Sequence, residues 1–595
     1  MNGARKDGFA PIQDYAAIGD GRAFALVARD GSIDWLALPW LDSSPVFARL
    51  LDASRGGGFE LQPSGPAQVT RRYLDDTNVL ETTFTSDSGV VRVTDAVTLD
   101  HGGLLPWFEL VRRVEGVGGA VPMRWCLAAR PEDSVGPMQD AVILRSGSRN
   151  ATLHLFDAGT ARLGDGEAHG CFETAAGSEA LFALRATHDE PIPVPRREWI
   201  AQRISDTADD WRRWLDGATV EGPWEDAVRR SALVLRLLTH VATGAIAAAA
   251  TTSLPERIGG DRNYDYRFAW VRDSAYTLDA LINVGLLVQV HASIAWLLDA
   301  VGRTEPDVHT LYDLRGKAVS GEEELPLAGY RGSRPVRAGN SAATQLQLGS
   351  YGDLLETAEL YVREGSLLDG TSKTRLAGVV DYLCEIWQRT DSGIWELDDL
   401  EHYTSSKISA WAALDRALRL VERGQLPDDR TGRWQETADE IREFVERECW
   451  SAARGAYVMH AGSDRLDASI LRSARLNYRP ADDERIVATI DAIRRELGAG
   501  GPLLYRYSGQ ESEEGAFVAC SFWLIDALAR AGRVEEARAT MDEAVALAND
   551  VGLFSEEIDP ATGDFLGNFP QGLSHLSLIN AAAAIAKAER ASRPR

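Results

Sequence analysis

Between residues 11 and 190 apolar and polar positions alternate in short runs. They include FALVARDGSIDWLAL (24–38), QVTRRYLDDTNVLETTFTS (68–86), GVVRVTDAVTL (89–99), AVILRSG (141–147) and ATLHLF (151–156). A period of two sets one face of each run against a core, and the Gly, Asp, Ser and Pro clusters between runs supply turns. Many short strands at this spacing predict a β-sandwich domain over residues 1–192. Near residue 195 the period changes. REWIAQRISDTADDWRRWLDG (197–217) has helical spacing and predicts a helical linker over 193–222. From 223 to 595 helical spacing dominates, in about twelve segments. They lie near 225–241, 270–285, 287–302, 341–364, 373–389, 405–423, 433–449, 465–475, 482–497, 515–531, 534–548 and 571–590. An even number of helices joined by alternating short and long loops predicts a double ring of helices around a pocket.

Composition narrows the function classes. The 595-residue chain has a formal net charge of −26, which argues against a nucleic-acid partner, because phosphate contacts need a basic surface. The 45% hydrophobic and 26% charged fractions are ordinary for a soluble protein. The five cysteines, Cys126, Cys171, Cys384, Cys449 and Cys520, share no CxxC spacing, so neither a disulfide framework nor a zinc site is expected. No apolar leader and no run long enough to span a bilayer is visible, and a cytoplasmic protein without membrane contact is the expectation. No metal or cofactor motif is present, and the oligomeric state is not encoded in any pattern.

Four loops carry the candidate chemistry. GGDRNYDYRFAWVRDSAY (259–276) sets Tyr266, Trp270, Arg272 and Asp273 at the start of a predicted helix. Aromatic faces stack on sugar rings, and an Arg-Asp pair can serve adjacent hydroxyls. An ion pair packed under aromatics accounts for this stretch equally well. GYRGSRPVRAGNSAATQLQ (329–347) offers Arg337 in a loop with Asn340 or Ser341 as helix N-cap. DSGIWELDDLEHYTSSKISAW (391–411) places Glu396 after Trp395, where an indole beside a carboxyl favours its protonated form. GLFSEEIDPATGDFLGNFPQGLSHLSLINAA (552–583) places Glu556 and Glu557 in a loop. Taken singly, each of the last three reads as an ordinary solvated loop. Taken together, all four fall at predicted helix starts, where a ring of helices brings them to one pocket. Two carboxyls from separate loops are what glycoside hydrolysis requires.

At these motifs the chain resembles glycoside hydrolase family 15, the family of glucoamylases, glucodextranases and bacterial or archaeal trehalases. IGDGRAFALVARDGSIDWLALPWLDSSPVFARLL (18–51), the four loops above and EGAFVACSFWLIDALARAG (514–532) follow in family order. The resemblance implies an N-terminal antiparallel β-supersandwich and a C-terminal all-α (α/α)6 barrel. It also implies an exo-acting, inverting α-glucoside hydrolase. By motif position Glu396 matches the general acid and Glu556 the general base. Tyr266, Trp270, Arg272, Asp273 and Trp395 match the part that holds the terminal glucose, with Arg337, Arg506 and Glu557 as further substrate-binding positions. Leu397 stands where fungal glucoamylases carry a second carboxylate, and the region 305–328 departs from trehalase relatives. Both lie toward the leaving group, so the expected substrate is trehalose or a short malto- or isomalto-oligosaccharide. A disaccharide phosphorylase and a non-catalytic glucan-binding protein are the alternatives. The two glutamates in place argue against both.

Overall fold

The computed structural model describes residues 5–99, 108–138, 141–187 and 194–592. Two eight-stranded antiparallel sheets form the N-terminal half. The first orders its strands Tyr15–Gly19, Phe24–Ala28, Ile33–Ala37, Gly58–Pro63, Pro122–Ala128, Glu167–Glu173 and Arg162–Gly164, with Pro45–Ala48 beside Ile33–Ala37. The second orders Ser134–Met138, Ala141–Ser146, Arg149–Phe156, Glu179–Thr187, Phe108–Gly119, Gly89–Val97, Leu80–Ser86 and Gln68–Tyr73. Phe59 and Trp125 of the first sheet meet Phe182 of the second edge-on, with centroids 5.9 Å apart in each pair. The buried Arg112 crosses between sheets. It donates to Asp95 Oδ1 at 2.7 Å and to the carbonyls of Phe59 and Gly31 at 3.1 and 2.7 Å.

The run at 24–38 is two strands. Gly31 turns the chain at φ +87°, and a Cβ there would lie 2.3 Å from the Leu61 carbonyl, so only glycine fits. Both strands, FALVA and IDWLA, are buried at every position and carry one polar residue, Asp34, so the alternation expected of the longer run is absent within them. The reason is that the second face of this sheet is covered by the helical half. Trp35 Nε1 donates across that contact to the Ala250 carbonyl at 3.1 Å. Asp550 accepts from Arg71 Nε at 3.1 Å and from Arg29 at 3.2 Å, and Arg267 Nη1 donates to the Ser43 carbonyl at 2.8 Å.

The helices are α1 Arg197–Leu215, α2 Glu225–Leu238, α3 Val271–Asn283, α4 Leu287–Gly302, α5 Gly349–Arg363, α6 Gly370–Ile386 and α7 Thr404–Glu422. They continue with α8 Thr431–Glu448, α9 Ser473–Leu476 (extended N-terminally by the 3-10 turn Ala468–Arg472), α10 Glu484–Leu497, α11 Val518–Arg530, α12 Val534–Val545 and α13 Gly572–Ser592. Helices α3, α5, α7, α9 with its 3-10 turn, α11 and α13 touch in succession, and α13 returns to α3, closing an inner ring. Helices α2, α4, α6, α8, α10 and α12 alternate with them in the chain and form the outer layer. Residue patterning explains the division. Helix α8 buries only Trp434, Thr437, Ala438, Ile441 and Val445, one stripe at helical spacing. Helix α13 buries every residue from Gly572 to Ala582, so it suits only a fully surrounded position. The architecture is an (α/α)6 barrel behind a two-sheet β-domain. Among the described residues no helix is long and apolar enough to cross a membrane.

Candidate active site

The loops entering α3, α5, α7, α11 and α13 surround a cavity of about 370 Å³ at the N-terminal ends of the inner helices. Tyr266, Trp270, Arg272, Asp273, Arg337, Trp395, Glu396, Arg506 and Glu556 all line it. Glu557, expected among the substrate-binding residues, does not.

One wall is built around Glu396. This residue takes φ +60°, a left-handed conformation that a glutamate adopts only when its surroundings enforce it. Gln345 Nε2 donates to its carbonyl at 3.0 Å. Trp270 Nε1 donates to its carboxylate Oε1 at 2.7 Å, and Arg272 Nη2 lies 3.9 Å from the same oxygen. Arg272 also donates to the Ile394 carbonyl at 2.9 Å and to Asp273 at 3.2 Å. The Arg-Asp pair of the opening motif and the loop carrying Glu396 are thus one hydrogen-bonded unit. Burial raises the Glu396 carboxyl above its ordinary range, while Arg272 and the Trp270 donor hold the rise down. Tyr266 meets Trp270 edge-to-face at 5.3 Å. Trp395 Nε1 donates to Asp467 at 2.8 Å, which fixes the indole behind the cavity.

The opposite wall is built around Glu556. Its amide donates to the Asn568 carbonyl, and the Asn568 amide donates back to Glu556 Oε2, both at 3.1 Å. Gly567, at φ +67°, lets the carboxylate lie against the backbone: a Cβ there would meet Oε2 at 2.4 Å. Glu556 Oε1 has no hydrogen-bond partner. Burial and the neighbouring Glu256 push this carboxyl up to about 8, against the opposing pull of Arg506, Tyr266 and the Asn568 amide.

Residues 222–583 match the family described as Glycosyl hydrolases family 15, and residues 5–141 match the trehalase-like N-terminal domain. The chain belongs to glycosyl hydrolase family 15. It is 32% identical to a trehalase of Thermoplasma volcanium, over 97% of this chain and 94% of that one. It is 35% identical to a trehalase of Mycolicibacterium smegmatis, over 98% and 92%. A bacterial glucoamylase solved with acarbose shares the fold at a TM-score of 0.73 and 14% identity, covering 98% of this chain and 96% of that one. The chain is a glycoside hydrolase.

In this family 15 chain Glu557 opens the short strand Glu557–Ile558, where successive side chains alternate in direction. Glu556 therefore faces the cavity while Glu557 turns behind it. There it joins Glu256 and Glu514, with one carboxylate oxygen of each within 4.8 Å of the others. Arg506 serves this group as much as the cavity: Nε donates to Glu514 at 2.6 Å and Nη2 to Glu256 at 2.8 Å. Arg262 donates to Glu514 at 2.6 Å. The three carboxyls have metal-ligand spacing, but Arg506 already supplies a cation among them.

Glu256, Arg262, Tyr264, Glu322, Asn340, Gln345, Asp398 and Gln571 also line the cavity. All but Glu256 and Glu322 lie inside the quoted motifs, but only Tyr264 and Asn340 stand beside a signal, aromatic or capping, that singles them out. On the rim, Arg337 Nε pairs with Glu322 at 3.2 Å from the hairpin Glu322–Leu325 and Val336–Gly339, with its guanidinium 5.2 Å from the Tyr264 ring.

Proposed function

We propose that this glycoside hydrolase cleaves trehalose or another short α-glucoside in an exo fashion, with inversion at the anomeric carbon. The observation that carries the reading is a pair of carboxyls, the partly buried Glu396 and the buried Glu556, on separate loops facing one small polar cavity. The aromatic pair Tyr266 and Trp270 suits the apolar face of a glucose ring, and Arg272 with Asp273 suits its hydroxyls. Full-length relatives named trehalase support the choice of trehalose. The cavity of about 370 Å³ sits near the lower end of small-molecule sites, which favours a disaccharide over a long glucan. The rim pair Arg337 and Glu322 offers donors and acceptors to the hydroxyls of the leaving sugar.

In this mechanism Glu396 gives its proton to the glycosidic oxygen as the bond to the anomeric carbon breaks. A water attacks that carbon from the opposite face and gives its proton to Glu556. β-Glucose and the protonated leaving sugar depart, and a proton returns from Glu556 through solvent to Glu396. Burial raises Glu396, which keeps a proton available to give. Glu556 must be ionised to accept one, so its surroundings limit the reaction at low pH.

One observation favours a second reading, with the roles exchanged: the upward shift is the larger at Glu556. Discrimination comes from α-glucosyl fluoride, whose leaving group needs no protonation. The variant lacking the acid keeps turnover on it and the variant lacking the base does not. The broader test is a screen of trehalose, maltose, isomaltose and soluble starch with the product anomer followed by NMR. Release of one β-glucose and one α-glucose per trehalose supports the proposal, because the leaving glucose keeps its α configuration. Release of two α-glucose, or of glucose 1-phosphate only when phosphate is present, contradicts it.

A further inference from the structure

Behind Glu556 lies a cage that the hydrolytic steps do not use. Glu256, Glu514 and Glu557 are buried, with exposures of 1%, 6% and 0%. With Glu556 they set four carboxyls against two guanidiniums, Arg506 and Arg262. Glu514 takes a hydrogen bond from each guanidinium. Glu256 Oε2 takes one from Arg506. Glu557 has the poorest share: its nearest guanidinium nitrogen is 4.0 Å away, and its Oε2 accepts the Gly515 amide at 2.9 Å. Its Oε1 has no hydrogen-bond partner, and neither has Glu256 Oε1. Two buried acceptor oxygens without donors, on neighbouring carboxyls of one cluster, are what a missing proton leaves behind. Tyr264, Tyr266, Tyr507 and Cys520 also feel the cage, and none of them brings a positive charge.

We propose that Glu557 is a positioning residue that stays protonated through turnover, and that with Glu256, Glu514 and Arg506 it sets when Glu556 can ionise. The proton makes Glu557 a donor toward the cage oxygens and removes one negative charge from directly behind the base. Glu256 then carries the charge that most opposes ionisation of Glu556, and Arg506 the charge that most favours it. The proposal rests on the reading of Glu556 as base.

The test uses the full-length chain with Glu557→Gln and Glu256→Gln, each keeping the shape of the carboxyl. Glutamine mimics a protonated Glu557, so Glu557→Gln keeps kcat within about threefold, and the acid limb of the kcat/KM profile for trehalose stays in place. Glu256→Gln moves that limb down by about one pH unit, because a like charge near the base is gone. Infrared spectra at neutral pH supply an arm that does not depend on catalysis. A protonated-carboxyl band present in the wild type and missing in Glu557→Gln is expected. A Glu557→Gln profile shifted to lower pH, or loss of activity as deep as in Glu556→Gln, overturns the proposal. So does the lack of that infrared difference. If Glu556→Gln itself keeps near-native turnover, the reading of Glu556 fails while the infrared arm still decides the proton on Glu557.

Discussion

The two carboxyl walls of the cavity hold the same side chain in opposite electrical surroundings. Glu396 is partly buried beside a guanidinium and an indole N–H. Glu556 is buried beside three further carboxyls, with Arg506 shared among them. Burial raises both, and the neighbours widen the difference: a cation and a donor oppose the rise at Glu396, while Glu256 adds to it at Glu556. On the first wall the cavity-lining residues Trp270 and Arg272 are also the ones that steady the carboxylate. On the second, Glu256 and Arg506 line the cavity beside Glu556, while Glu514 and Glu557 lie behind them. The lesson is that the groove's polar residues cannot be divided cleanly into those that bind and those that tune.

The largest expected effect comes from removing either carboxyl. Glu396→Gln and Glu556→Gln each lower kcat on trehalose by about 10² to 10⁴, the usual range for a general acid or base, measured in steady-state assays. Near-native turnover in either variant would break the pairing itself. Next comes Arg272→Met, which takes the cation from the first wall and leaves Asp273 buried without its partner. It lowers kcat/KM by more than about tenfold and destabilises the fold by roughly 3 kcal/mol, read by denaturant unfolding. A variant that loses stability but keeps kcat/KM would show that the pair is structural only.

A smaller effect sharpens the contrast through pH. Trp270→Phe deletes the donor to the carboxylate form of Glu396 and so raises its proton affinity. The acid must be protonated to act, so the basic limb of kcat/KM moves to higher pH, by less than about one unit. The acid limb, set by the other wall, stays where it is. A shift of both limbs together would mean that the walls are not electrically separate. Smallest is Asp550→Asn, at a residue that does not line the cavity and sits at the contact between the β-domain and the barrel. It weakens a partly buried ion pair with Arg71 and costs about 1 kcal/mol, with KM and both pH limbs unchanged.

Much of this was legible in the chain. The change of period near residue 195 marks the passage from sheets to helices, and the predicted helical segments correspond to the barrel helices. The four loops converge as their positions at helix starts imply. The misses have physical causes. Glu557 looked like a cavity residue because it adjoins Glu556, but strand geometry sends neighbouring side chains opposite ways. Glu256 and Glu514 lie 258 positions apart in the chain and are two among 89 acidic residues, so only folding makes them neighbours. Arg506 was visible as a substrate-binding position, while its service to the cage was not. The strands at 24–28 and 33–37 are near-continuous apolar runs rather than alternating ones, the signal of burial on both faces, and the barrel covers the side a lone sandwich would leave to solvent.

The account stands most directly on which carboxyl does what. That is decided by following fluoride release from α-glucosyl fluoride by Glu396→Gln and Glu556→Gln, beside their activity on trehalose. The account predicts that both variants lose trehalose turnover, that Glu396→Gln retains hydrolysis of the fluoride, and that Glu556→Gln does not. Retention by Glu556→Gln and loss by Glu396→Gln would contradict it and exchange the two roles.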